Sequence, residues 1–290
     1  MQITLHVGAH RTASTTFQHM MAASRGRLTA RGIGFWGPRR MRGEGQSGSD
    51  HRALERALDE AGAGHLRQLV ISEENLLGSM RANLRSAVLY PDVAMRALRV
   101  APALGARVGQ VGIAIRSYPA YWASALAFSM TRGGPAPEPA LCEALVAQSR
   151  RWRDVIEDIA MVWPEARIRV WTYEGMAARP EAVAEALLGA ELPRLSGARD
   201  WHNAQPTPAI LRRTLRHAGR SPGLIRERAD RFMPFTDPER RWMQTAYAAD
   251  LAWLRAGAGP RIDYIDDLGA DPGATRGRGR DNDGADRKMA

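Results

Sequence analysis

Eleven consecutive residues, His6-Val7-Gly8-Ala9-His10-Arg11-Thr12-Ala13-Ser14-Thr15-Thr16, gather one glycine, two histidines, one cation and four hydroxyls. They follow an apolar run at residues 3–7 and precede a segment, 17–30, that can form a helix. A strand, a tight loop and a helix start bring several backbone N–H groups together, and the positive end of the helix dipole adds to them. Such a cradle holds a phosphate or a sulfate. Its candidate ligands are Gly8, Ala9, Arg11, Thr12, Ala13, Ser14, Thr15 and Thr16, with the hydroxyls equally able to cap the helix. His10, inside the loop, reads as a base, as a donor to the anion, or as an exposed bystander. His6, inside the strand, reads as a buried, hydrogen-bonded residue that shapes the loop.

Polar groups also end the other apolar runs. Residues 68–72 read as a buried strand ending at Glu73 and Glu74, and 111–115 as a strand ending at Arg116 and entering a helix over 119–132 that carries Ser124. Glu74 is the candidate general base, because Glu73, one residue away on an extended chain, points elsewhere. The pair serves equally well as the acidic start of a helix. The remaining pattern predicts a short extended piece at 32–36, a surface loop at 37–50, helices at 51–61 and 91–104, and a Gly/Pro linker at 133–139. A long amphipathic helix then runs through Trp152 towards Trp163, followed by a strand at 167–171. Residues 207–254 are helical in pattern, broken at Pro222, Pro234 and Pro238, and pack on the sheet or form a lid. Strands alternating with helices predict a three-layer α/β/α fold with a mainly parallel central sheet and a C-terminal helical region, with ligands beyond the carboxyl ends of the strands. One domain over 1–268 and a disordered Gly/Asp/Arg-rich tail over 269–290 are expected.

The net charge of +10 is almost entirely arginine, since Lys288 is the only lysine of the 290 residues. That balance favours anionic ligands, or a solvated arginine surface, without choosing among them. No clustered stripe or known motif points to nucleic acid. Seven histidines without ligand spacing, and Cys142 as the single cysteine, argue against a metal site and exclude an internal disulfide. No apolar stretch approaches the roughly 20 residues of a membrane span, and the N-terminus enters a strand without the basic and apolar regions of a signal peptide. A cytoplasmic protein without a transmembrane segment is expected.

Laid on Gly8, the nucleoside-triphosphate frame GxxxxGK[ST] places Ala13, Ser14 and Thr15 where Gly, Lys and Ser/Thr belong. Only the last hydroxyl survives, so a magnesium-dependent kinase lacks its charge clamp. The same residues resemble the phosphosulfate-binding loop of the PAPS-dependent sulfotransferases (PAPS, 3′-phosphoadenosine 5′-phosphosulfate), whose bacterial and carbohydrate-type members carry patterns like HxGxxKTGTTxLQ. The matching positions are His6, Gly8, Arg11, Thr12, Ala13, Ser14, Thr15, Thr16, Phe17 and Gln18. Arg11 replaces the family's lysine, Ala13 its glycine and Ser14 its threonine, and an alanine at 13 is expected to keep that position in ordinary, negative-φ backbone space.

A second element carries the resemblance further. The family binds the 3′-phosphate of PAPS through an arginine at a strand end and a serine eight positions later, matched by Arg116 and Ser124. Ile71-Ser72-Glu73-Glu74-Asn75, Trp201-His202-Asn203 and the 247–254 segment with Asp250 resemble weaker family features, so the likeness extends over roughly residues 1–255. The resemblance implies transfer of a sulfuryl group from PAPS to a hydroxyl or amine of a carbohydrate, lipid or small molecule, with PAP as product and no metal requirement. Arg11 would steady the departing nucleotide by charge and forked hydrogen bonds, although its high pKa makes it a poor proton donor. A non-catalytic protein that binds PAP or another anion is the alternative. Trp36, Trp122 and Trp201 are assigned no role.

Overall fold

The computed structural model describes residues 1–38, 40, 51–200, 205–223, 225 and 230–266. Six strands, β1 (Gln2–His6), β2 (Ile33–Trp36), β3 (Gln68–Ser72), β4 (Val108–Ile115), β5 (Arg167–Thr172) and β6 (Ile262–Tyr264), form one sheet in the order β2-β3-β1-β4-β5-β6. Every pairing is parallel, so all strands release their chain at the same edge. The expected α/β fold is present, with β1 in the middle of the sheet. The helices are α1 (Ser14–Ala23), α2 (Arg25–Thr29), α3 (His51–Ala63), α4 (Met80–Ser86), α5 (Val93–Leu98), α6 (Ala101–Leu104) and α7 (Tyr118–Thr131). After these come α8 (Pro139–Ala147), α9 (Trp152–Val162), α10 (Tyr173–Met176), α11 (Pro180–Leu188), α12 (Pro208–His217) and α13 (Asp237–Arg255).

The two-residue period of the strands sorts their side chains into two cores. Ile3, Leu5, Ile71, Ile113, Ile115 and Val170 pack on one face against Leu58 of α3, Tyr121 and Trp122 of α7 and Trp152 and Ile156 of α9. On the other face Phe35, Val70, Ala114 and Trp171 meet Phe17, Met20 and Met21 of α1 and Val183 and Leu187 of α11. Helices thus cover both faces, as a parallel sheet requires. α7 is buried nearly all round because the sheet lies on one side of it and α12 and α13 on the other. The C-terminal helices therefore pack on α7, and α13 also reaches β6. Among the described residues no helix is long and apolar enough to cross a membrane.

Several expected boundaries differ. The helix predicted over 91–104 is two pieces, α5 and α6, because Pro102 lacks the N–H that would continue the ladder into α6. The long helix towards Trp163 is also two, α8 and α9; Asp154 accepts from the Arg151 N–H at 2.7 Å and starts α9 afresh. α1 begins at Ser14 rather than 17 and stops at Ala23. The short α4, α10 and α11 and the three-residue edge strand β6 were not expected. Trp201-His202-Asn203, the 269–290 tail and most of the 37–50 loop lie outside the described residues.

One buried knot ties three of these helices together. The Tyr118 hydroxyl donates to Asp250 of α13 and accepts from the Trp152 N–H of α9 at 2.7 Å. Burial raises the Asp250 carboxyl pKa, with the bonds from Tyr118 and Trp152 opposing. Tyr118→Phe would take away the hydroxyl that donates to the buried Asp250 carboxylate and accepts from the Trp152 N–H. We expect a loss of about 2–4 kcal/mol in urea unfolding; a variant as stable as the parent would show that the knot contributes nothing.

Candidate anion-binding site

The β1–β4 ladder does not stop at the end of β1. The Val7 N–H donates to Gly112 O at 3.0 Å, the Ala9 N–H to Ala114 O at 3.0 Å, and the Ala114 N–H to Gly8 O. The chain then reverses, with the Thr12 hydroxyl donating to Ala9 O at 2.6 Å. Arg11 and Ala13 make the reversal, with φ of 63° and 67°. This corrects the expectation for Ala13: the left-handed region is open to an L-residue at a cost of about 1–2 kcal/mol, and the anchored loop imposes it. Ala13 is the N-cap of α1, and its carbonyl accepts from the Phe17 N–H at 3.2 Å. Gly8 has φ +98°, and a Cβ there would stand 2.9 Å from the Glu74 Cβ. Glycine is what lets Glu74 lie against the loop.

On the β3 side the two acids have different work. Glu73 is buried, and its Oε1 accepts from the Asn75 N–H and side-chain amide at 2.9 and 2.7 Å, turning inward on its own turn. Glu74 Oε2 accepts from Gln18 Nε2 at 2.7 Å. The same Gln18 nitrogen donates to Ser72 Oγ at 3.1 Å, and Ser72 Oγ meets His6 Nδ1 at 2.8 Å. His6 is buried against Phe17 and stacked with Trp171, as its place in the strand implied. Burial pushes its pKa down to about 4, against the attraction of the Glu74 carboxylate. Gln18 and Ser72, both within the stretches that carry the resemblance though neither was given a role, thus join Glu74 to His6 in one hydrogen-bonded chain.

On the β4 side Arg116 is only 6% exposed. Its Nη1 donates to Arg11 O at 2.7 Å, its guanidinium lies 4.0 Å over the Tyr173 ring, and its buried Nε has no hydrogen-bond partner. Arg11 Nε donates to Ser124 Oγ at 2.9 Å, and its guanidinium lies 5.0 Å from the centre of the Phe128 ring. Arg11 thus touches both members of the expected phosphate pair. Burial lowers the pKa of both guanidiniums, and the charge of Arg116 lowers that of Arg11 further. A dehydrated corner with two neighbouring cations favours a multiply charged anion. Glu174, after β5, was not anticipated; it accepts from the Ser117 N–H at 3.0 Å and from the Tyr247 hydroxyl at 3.1 Å. Its signal was the one that exposed Glu74, an acid just past a strand.

His10 is half-buried, and both its N–H and its Nδ1 lie 2.8 Å from the Tyr90 hydroxyl. It is thus partly buried and bonded, not exposed. Arg11, His10, Arg116, Ser124 and Glu74 therefore belong to one edge of the sheet, with the hydroxyl loop between the acid and the cations.

Compared with protein-family models, curated proteins and solved structures, the chain matches none.

The buried His6 makes stability depend on pH. Its folded pKa, about 4, lies below the unfolded value near 6.5, so its contribution is complete above pH 6.5 and is lost as pH falls through the folded value. The stability difference between the parent and His6→Gln should shift by about 2–3 kcal/mol between pH 7.5 and 4.5 in urea unfolding, against the parent at low pH. Parallel pH profiles would show that His6 is not the buried neutral group described.

Proposed function

We propose that this chain is a sulfotransferase that moves a sulfuryl group from PAPS to a hydroxyl or amine of a carbohydrate, lipid or small-molecule acceptor, releasing PAP. The observation that carries this reading is the direct join between two cationic subsites, the 2.7 Å bond from Arg116 Nη1 to Arg11 O. A nucleotide with a phosphosulfate at one end and a 3′-phosphate at the other is charged at both places. The buried Arg116 Nε is a donor in want of an acceptor, which a phosphate oxygen supplies.

The residues divide the work by side. Gly8, Ala9, Arg11, Thr12, Ala13, Ser14, Thr15 and Thr16 would hold the phosphosulfate, and Arg116 with Ser124 the 3′-phosphate. PAPS supplies an activated sulfuryl group on a nucleotide that leaves as PAP. Arg11 stabilises charge on the leaving side by its own charge and forked hydrogen bonds, without giving up a proton. Glu74, held by Gln18, takes the acceptor's proton. A second reading, a non-catalytic PAP-binding protein, is favoured by the engagement of Arg11 Nε with Ser124.

PAP should raise the melting temperature in a thermal-shift assay without magnesium, and ATP with magnesium should not do so on its own. Stabilisation by ATP and magnesium alone would favour a kinase and overturn the proposal. In turnover of labelled PAPS over an acceptor panel, Arg11→Ala should lose about 100-fold or more, with Arg11→Lys retaining more than Arg11→Ala. PAP binding without turnover would select the non-catalytic reading. Parental turnover in Arg11→Ala would remove Arg11 from the chemistry.

A further inference from the structure

Tyr90 lies 80 residues from His10 in the chain, yet its hydroxyl faces the loop and meets His10 twice. It is fully buried, and its φ of 44° is unusual for a bulky residue, more so before Pro91. Its surroundings hold it there. Arg150 Nε donates to Leu89 O at 2.8 Å and to Tyr90 O at 3.2 Å, and Arg150 is itself paired with Asp158. The ring packs between Tyr121 and Trp152 on one side and His10 on the other. A strained, buried tyrosine whose polar atom serves a loop 80 residues away is a positioning device.

Counting protons assigns the direction of its bonds. Tyr90 Oη lies 2.8 Å from two groups of His10, the backbone N–H and Nδ1. The N–H can only donate, so the buried Tyr90 hydroxyl accepts it and gives its own proton to Nδ1, the one acceptor of the two. With Nδ1 as acceptor, Nε2 on the opposite side of the ring carries the proton.

We infer that Tyr90 locks His10 in the Nε2–H tautomer, so that His10 is a hydrogen-bond donor to the anion in the loop and not the general base. The identity of that anion as the 5′ end of PAPS or PAP rests on the sulfotransferase reading, whereas the lock does not. The base role then stays with Glu74.

Long-range proton–nitrogen NMR of histidine-labelled protein, with His10 assigned by its absence in His10→Gln, reads the tautomer directly. The parent should show Nε2–H, and Tyr90→Phe should move His10 towards the other tautomer while the remaining amide spectrum stays in place. Nδ1–H in the parent overturns the lock, whether or not Tyr90→Phe folds. Titration with PAP then tests the donor role: Tyr90→Phe and His10→Leu should each weaken binding about tenfold, and His10→Gln, with an amide donor near the Nε2 position, should recover much of the loss. Equal PAP affinity in the parent and His10→Leu overturns the donor role. A parent that binds no PAP but keeps the Nε2–H signature brings down the sulfotransferase reading and leaves the lock standing.

Discussion

The site depends on a strand that keeps pairing after it has ended. Because Val7, Gly8 and Ala9 remain bonded to β4, the loop leaves the sheet at a fixed point and direction, and its reversal must be completed in a few residues. Two left-handed residues, Arg11 and Ala13, do this at a cost of about 1–2 kcal/mol each, which an unanchored loop would relieve by relaxing. The same anchoring brings Gly8 so near Glu74 that no side chain fits between them. Pairing, reversal and close approach are one constraint seen at three places.

From that constraint follows a separation of charge. Glu74 stands on the β3 side, tied through Gln18 and Ser72 to a neutral His6, while Arg11 and Arg116 stand on the β4 side, tied to each other and to Ser124. The acid is bonded to Gln18, and the cations to Ser124 and to the Arg11 carbonyl. For the proposed transfer this matters, since in-line displacement needs a proton acceptor and a stabiliser of the leaving group on opposite sides of the moving group.

Local chemistry in the chain made much of this legible. The apolar runs at 68–72 and 111–115 end where β3 and β4 end, and the residues just beyond them, Glu74 and Arg116, are at the site. Ala13 was misjudged because a steric preference was treated as a prohibition; tertiary anchoring outweighs a cost of this size. The break between α8 and α9 turned on one carboxylate, Asp154, in a stretch whose apolar periodicity continued past it. The contacts of Gln18, Glu174 and Tyr90 were not legible, although Gln18 stood in the matched stretch and Glu174 just past a strand, because their partners lie 56, 57 or 80 positions away.

The arginine at position 11 is best understood through its number of donors. A lysine has a single nitrogen, so a bond to Ser124 would draw its whole charge towards α7. A guanidinium divides the tasks: Nε holds Ser124, and a separate Nη edge carries forked donors. Tethering and anion binding are then compatible in one side chain, even in a loop whose backbone is already held in a left-handed turn at that residue. What arginine gives up is the proton, because a guanidinium is intrinsically a very weak acid, although burial and the charge of Arg116 both lower its pKa. For the proposed transfer, an arginine here would keep electrostatic stabilisation and pass any proton donation to a neighbour. His10, with its Nε2 proton set by Tyr90, is the loop residue equipped to supply a hydrogen bond there.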